Sequence, residues 1–361
     1  MQKIIFDNVI FSLQRAGGIS VVWYELLKRI VYTKHKISFL EYKKNTNNLF
    51  RNQLNIPFDK VIYRKGFLLC IKRYFNIQIK FSEKFIFHSS YYRTCKNRNA
   101  INVTTVHDFT YEYFSIGLKR KIHSWQKFKA IRNSDVIICV SENTKKDLIK
   151  FIPNIDVRKL RVIYNGISDD FFSIDNKGNY VQLPFCKESY ILFVGSRAKY
   201  KNFELVVNAV SKSLYNLVIV GSTLSRKENL FVNSVLKQSK VKYIGYVSNQ
   251  QLNILYNNAF CLLYPSSYEG FGIPVLEAQK AGCPVVAYKG SSIPEIIGTT
   301  PLLINSLCIE QILDCFKILT NSQKRLEIIN NGLKNAERFS WDQMYKEVMG
   351  IYNIMWNSKK S

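Results

Sequence analysis

Residues 268–287 read YEGFGIPVLEAQKAGCPVVA. Gly270 and Gly272 frame Phe271, and Ile273 and Pro274 then open a helical pattern. Proline suits the first turn of a helix, where its missing N–H leaves no bond unmade. The stretch therefore predicts a glycine-rich turn after the apolar strand Phe260–Tyr264, a helix over Ile273–Ala281, and a further strand over Pro284–Tyr288. A helix start of this kind presents backbone N–H groups that bind anions and polar oxygens. Glycine also lets the backbone approach a bound group closely.

The same alternation extends outward in both directions. Strands are predicted at Tyr190–Gly195, Asn216–Gly221, Val241–Val247 and Pro301–Ile304, with helices at Asn202–Leu214, Lys227–Gln238 and Asn249–Asn258. Runs such as YILFVG and NLVIVG are apolar on both faces, the mark of parallel strands covered by helices on each side. In the first half the strands are expected at Lys3–Phe11, Lys36–Tyr42, Lys84–Tyr92, Asn102–Phe109 and Asp135–Ser141. Helices fall at Ile19–Val31, Leu118–Ser134 and Glu142–Ile152. Alternating β and α units build doubly wound α/β sheets, with ligands at the carboxyl ends of the strands.

With 361 residues, two domains of about 150–200 residues are expected. The first is assigned to 1–167 and the second to 168–340, with the polar stretch Ser168–Glu188 as their link. A last helix in 341–361 is expected to return to the first domain. Hydrophobic residues at 47% against 22% charged exclude a disordered chain. No apolar run reaches the roughly 18 residues of a membrane span, and MQKIIFDNVIF reads as a first strand rather than a leader. A cytoplasmic protein follows as the expectation. The eight cysteines form no CxxC pair, which predicts reduced thiols rather than a zinc site or disulfides. Fifty-two Lys and Arg against 26 Asp and Glu leave +26, a charge that draws polyanions, anionic membranes or phosphorylated ligands. An AT-rich coding bias toward Lys, Asn, Ile, Tyr and Phe is the alternative source of that excess.

Four segments carry candidate chemistry. Glu269 and Glu277 are separated by seven residues around the glycine turn. VGSRAKYKN at 194–202 places Arg197 and Lys201 directly after a buried strand. Arginine offers a planar fork to phosphate oxygens and lysine a point charge. RAGGIS at 15–20 puts Gly17 and Gly18 at a helix start, and VHDFTYE at 106–112 puts His107 at a strand end.

Together these motifs are similar to those of the family 4 retaining glycosyltransferases of GT-B fold, across most of residues 1–20 and 100–345. The segment 268–287 resembles the family's E-x7-E signature with GFGxPxLEA and AGxPVVA attached. The resemblance implies two Rossmann-like doubly wound domains facing across a cleft. It implies that Glu269, Gly270, Phe271 and Gly272 hold donor-sugar hydroxyls, and that Glu277 holds the ribose. Arg197 and Lys201 would meet the donor diphosphate, Gly17 and Gly18 would lie near it, and His107 would contact the sugar near the reaction centre. YIGYVSNQQL at 243–252 would flank the nucleobase through Tyr246 and Val247. SENTKKDL at 141–148 and SSIPEIIG at 291–298 are also family-like, whereas TTP at 299–301 departs from the GDA usual there.

The implied activity is metal-independent, cofactor-free transfer of a hexosyl unit, with retained configuration, from a nucleotide-diphosphate sugar. The acceptor would be a saccharide or lipid-linked saccharide of bacterial surface polysaccharide assembly, such as O-antigen or capsule. No DxD metal motif is present. YRKGFLLCIKRYF at 63–75 and LKRKIHSWQKFK at 118–129 suit peripheral contact with an anionic membrane, or equally an ordinary solvated face. No specific nucleic acid is expected, since no nucleic-acid module is present. A polyanion- or nucleic-acid-binding protein, and a sugar-nucleotide epimerase or phosphorylase on the same fold, stand as the alternatives.

Overall fold

Thirteen strands form two all-parallel sheets in the computed structural model, which describes residues 2–43, 46–64, 66, 68–174 and 183–358. The first sheet comprises β1 (Lys3–Asp7), β2 (Lys36–Glu41), β3 (Val61–Tyr63), β4 (Phe85–Ser89), β5 (Ala100–Val106), β6 (Val136–Cys139) and β7 (Leu160–Val162). Their order is β3-β2-β1-β4-β5-β6-β7. The second comprises β8 (Tyr190–Val194), β9 (Asn216–Val220), β10 (Val241–Gly245), β11 (Cys261–Tyr264), β12 (Val285–Tyr288) and β13 (Leu303–Ile304), in the order β10-β9-β8-β11-β12-β13. Every strand pair is parallel. Both sheets are doubly wound, and the order reverses between β1 and β4 and between β8 and β11. Such reversal points open a crevice at the carboxyl ends of the strands.

The apolar runs explain the sheets. Ile4 to Phe6, Phe85 to Phe87 and Ile191 to Phe193 are buried on consecutive positions, as covered parallel strands require. In the second sheet Ile191, Phe193, Leu217, Ile219 and Leu263 pack against Phe203, Val206, Val207 and Val210 of the helix Phe203–Ser211. Truncating one such residue, Phe193→Ala, should cost about 3–5 kcal/mol.

The chain divides into Met1–Gly166 with Trp341–Ser361, and Ile167–Ser340. The helix Trp341–Ser358 thus belongs with the first sheet, where Tyr352 Oη bonds His88 Nδ1 at 2.6 Å. Several sequence expectations are corrected. The second unit begins at Ile167, whose backbone pairs with that of Ser340 at the unit's other end. The start of the expected link is packed structure: the backbone N–H groups of Phe172 and Ile174 donate to Asn253 and Asn257 at 3.1 and 2.7 Å. Residues 175–182 of that stretch lie outside the described residues. The first strand ends at Asp7, where the pairing register with Leu40 and Ser89 stops, and Ile10–Leu13 forms a helical turn instead. The eight cysteines are all unbridged, five of them buried and Cys70 and Cys186 exposed.

Candidate active site

The decisive local geometry lies at the carboxyl ends of β8 and β11, the strands flanking the order reversal of the second unit. After β8 the chain makes a short turn, Lys199–Lys201, and enters the helix Phe203–Ser211 through Asn202. Asn202 sits at φ 53°, a left-handed conformation that asparagine tolerates better than most residues. Its amide donates to the Pro265 carbonyl (2.7 Å) and to Ser267 Oγ (2.8 Å), tying the loop after β8 to the loop after β11.

That tie brings Lys201 onto Glu269. Lys201 Nζ forms an ion pair with Glu269 Oε1, and also donates to Tyr264 Oη at 3.2 Å. Both charged side chains are only 12% exposed. Burial, reinforced by Glu269, pushes the Tyr264 hydroxyl well above its ordinary pKa, so it stays a neutral donor and acceptor. A cation, a carboxylate and a phenol therefore meet at the switch point.

The glycine turn beside them is held by the following serines. Glu269 N–H donates to Ser291 Oγ (2.7 Å), and Ser292 Oγ lies 3.0 Å from the Glu269 carbonyl and 2.8 Å from that of Phe271. Phe271 is buried edge-on against Phe339 at 5.8 Å, so its side chain anchors the turn and its backbone is what the turn presents. Gly272 adopts φ 108°, and a Cβ there would lie 2.9 Å from Ile293 Cδ1. Glycine is required at that position on both counts. The helix Ile273–Lys280 follows, with Pro274 in its first turn.

Glu277 lies on this helix, and its Oε2 accepts from Tyr256 Oη at 3.1 Å. Burial raises its pKa to about 7, opposed by the Tyr256 hydrogen bond. Tyr246 is 80% exposed on the loop between β10 and the helix Asn249–Asn258, next to half-buried Val247.

Arg197 is placed differently from Lys201. Its side chain is 4% exposed, Nε donates to Glu228 Oε1 (2.9 Å), and one Nη donates to Ser222 Oγ (3.1 Å) and the Thr223 carbonyl (2.7 Å). Glu228 also closes the capping box of the helix Arg226–Val235 with Ser225. The guanidinium thus braces two loops, and only Nη1, buried and without a hydrogen-bond partner, is uncommitted.

In the first unit Gly17 precedes the helix Gly18–Ile30, which has no acidic residue in its first turn, and a Cβ on Gly18 would meet nothing within 4 Å. Its first backbone N–H groups have no partner within the helix. His107 follows β5, half-buried, and burial with help from Lys127 lowers its pKa to about 4 against the pull of Asp108. It is a neutral imidazole near pH 7. It lines a cavity of about 20 Å³ with His88, Ser89, Thr105 and Asn165, too small for a sugar ring. His88 has both ring nitrogens engaged, by Tyr352 Oη and by Thr105 Oγ1 at 3.0 Å, and serves the core. No group of three or more His, Cys, Asp or Glu side chains placed to hold a metal occurs among the described residues.

Residues 181–352 match the family described as Glycosyl transferases group 1, and residues 16–171 match Glycosyltransferase Family 4. The chain is 32% identical over 284 residues to the O-antigen chain mannosyltransferase RfbU of Salmonella typhimurium, covering 76% of this chain and 74% of that protein. The chain belongs to the family 4 glycosyltransferases. This glycosyltransferase is also 32% identical to the uncharacterized glycosyltransferase MJ1607 of Methanocaldococcus jannaschii, where the match spans 65% of this chain and 64% of that one. Among solved structures, Anabaena HepE in complex with UDP and glucose has the same fold, with a TM-score of 0.74 at 15% identity over 98% of this chain and all of HepE.

The glycosyltransferase fold therefore brings Lys201, Glu269 and the 270–272 turn together, with Glu277 on the helix that follows the turn. Sequence reasoning did not single out Tyr264, Tyr256, Ser291, Ser292 or Glu228. The two tyrosines read as core aromatics in strand and helix patterns, and only the pairing of distant loops gives the other three a partner.

Proposed function

We propose that this chain transfers a hexosyl unit from a nucleotide-diphosphate sugar to a saccharide or lipid-linked saccharide, with retained anomeric configuration and without a metal or cofactor. The observation that carries the reading is the Lys201–Glu269–Tyr264 cluster at the carboxyl ends of the switch-point strands. Lys201 supplies the fixed cation for the donor diphosphate, whose negative charge grows as the glycosyl bond breaks. Glu269 and the backbone N–H groups of the 270–272 turn take the sugar hydroxyls, and Glu277 takes the ribose. Arg197 contributes through its uncommitted Nη1, Tyr246 and Val247 flank the base, and Gly17, Gly18 and His107 contact the phosphate and the sugar. In the transfer step the bond from C1 to the diphosphate oxygen breaks and the bond from C1 to the acceptor oxygen forms. The acceptor proton passes to the departing phosphate on the same face.

The relation to an O-antigen chain mannosyltransferase supports a mannosyl donor as the first to test, and bacterial surface polysaccharide as the product class. Incubation with mannosyl and glucosyl donors and a saccharide acceptor, in EDTA, tests this. Proton NMR of the product should show the donor's anomeric configuration. An inverted product, or turnover only after metal is returned, would refute that part of the reading. Turnover without an acceptor alcohol would favour an epimerase, and consumption of phosphate a phosphorylase.

A peripheral membrane location belongs to the same reading. No described helix is long and apolar enough to cross a membrane. The segment 113–125 exposes Ile116 (88%), Leu118 (71%) and Trp125 (50%) beside the exposed cations Lys119, Arg120 and Lys121. Apolar tips among cations suit an anionic lipid interface. The protein should sediment with anionic liposomes at low salt, and its failure to do so would remove the membrane from the account.

A further inference from the structure

The helix Gly117–Arg132 carries a lysine whose side chain is wholly buried. Lys127 Nζ donates to Glu112 Oε2 at 2.6 Å and to the backbone carbonyl of Asp108 at 2.8 Å, and it lies 4.5 Å from the ring centroid of Phe109 and 5.5 Å from that of Tyr92. Glu112, on the helix Thr110–Phe114, is equally buried, and its other oxygen accepts from Ser124 Oγ at 2.8 Å. Burial, which would raise the Glu112 pKa, is outweighed by His123, Lys127 and Ser124, which hold it at about 2. Glu112 is therefore a carboxylate near pH 7.

A buried ion pair is weak evidence for stability, because well-packed apolar residues of similar volume often serve as well or better. The geometry here points elsewhere. One ammonium fastens three things at once: the helix Gly117–Arg132, the short helix Thr110–Phe114, and the carbonyl of Asp108 in the turn that joins β5 to that helix. The Asp108 carboxylate accepts from the Thr110 N–H at 2.9 Å. The residue before Asp108 is His107.

We propose that Lys127 and Glu112 are positioning residues for transfer, setting the backbone of the turn so that His107 is held where it acts on the donor sugar. This inference rests on the assignment of His107 to the reaction centre. A displacement of about 1 Å in a group at the reacting atoms can cost on the order of 100-fold in rate. The fastening at the Asp108 carbonyl is of the kind that fixes such distances.

The test uses the full-length enzyme and a double-mutant cycle. Lys127→Met/Glu112→Leu removes both charges together and keeps the volume apolar, and Glu112→Gln is the milder companion should that variant fail to fold. The charge-free variant should unfold near the wild-type temperature, keep the wild-type KM for donor, and lose about 10- to 100-fold in kcat. Introduced into His107→Ala, the same change should cost little more, because the residue it positions is already gone. If it slows His107→Ala as much as it slows the wild type, the pair acts on stability or elsewhere and the inference is overturned. If His107→Ala itself turns over at the wild-type rate, the assignment of His107 fails, and the inference falls with it.

Discussion

Replacing Lys201 with methionine separates the two duties of the residue on which the proposed donor site is built. Methionine keeps the length and apolar stem and removes the charge. Glu269, only 12% exposed, then loses its cation and keeps the Tyr264 hydroxyl as a neighbour. Removing one partner of a well-buried pair costs about 3–5 kcal/mol. Here both partners retain some water and a phenol remains, so a loss of about 1–3 kcal/mol in folding stability is expected. The catalytic loss is separate. A fixed charge beside a developing phosphate charge is worth on the order of 100- to 1000-fold in kcat. Denaturant unfolding measures the first quantity, and release of nucleoside diphosphate in the presence of acceptor measures the second. Lys201→Met/Glu269→Gln leaves no unpaired carboxylate and should recover most of the stability while staying slow. A Lys201→Met enzyme that releases nucleoside diphosphate at the wild-type rate would refute the reasoning, however its stability changed.

Other outcomes follow from the same geometry. Arg197→Ala should slow transfer by about 100-fold, and also loosen the helix Arg226–Val235 through Glu228; an unchanged rate with lowered stability would leave it a brace alone. Gly272→Ala meets both the φ of 108° and the contact with Ile293, and should weaken donor binding and lower the thermal midpoint, read together by thermal shift. Glu277, with its pKa raised from 4.5 to about 7, keeps in the folded state a proton that the unfolded chain has released. Its contribution to stability is therefore present below about pH 4.5 and is lost as pH rises toward 7. Glu277→Gln should flatten that part of the stability–pH curve and weaken donor binding; an unaltered slope would show that the carboxyl titrates normally.

Much of this arrangement was legible in the sequence, and the exceptions have physical causes. Strands buried on both faces announce themselves as apolar runs, which is why YILFVG and NLVIVG fall on β8 and β9. The edge strands β3 and β7 were missed: Val61–Tyr63 and Leu160–Val162 are three residues each, partly exposed, and β7 carries Arg161. The segments of the candidate site were legible as motifs, since glycine, proline and the paired glutamates lie within one short stretch. Contacts between segments were not. Nothing local tells that Lys201 meets Glu269 across 68 positions, or that Ser292 braces the 269–271 backbone. Glu228 closes a capping box with Ser225, and its second role, holding Arg197, appears only once the two loops are folded together. Nor does anything local tell that His88 is held in the core by Tyr352, 264 residues away, through its Nδ1.

The most direct test of the central claim is the thermal midpoint of the protein against UDP-, GDP- and dTDP-sugars, with and without EDTA. A ligand that binds only the native state raises the midpoint, by about 2.7 kcal/mol of stabilisation at a hundredfold excess over its Kd. The account predicts a rise with one nucleotide class, undiminished by EDTA and lost in Lys201→Met. A midpoint unmoved by every donor, alongside salt-dependent binding to DNA, would contradict it and favour a polyanion-binding protein.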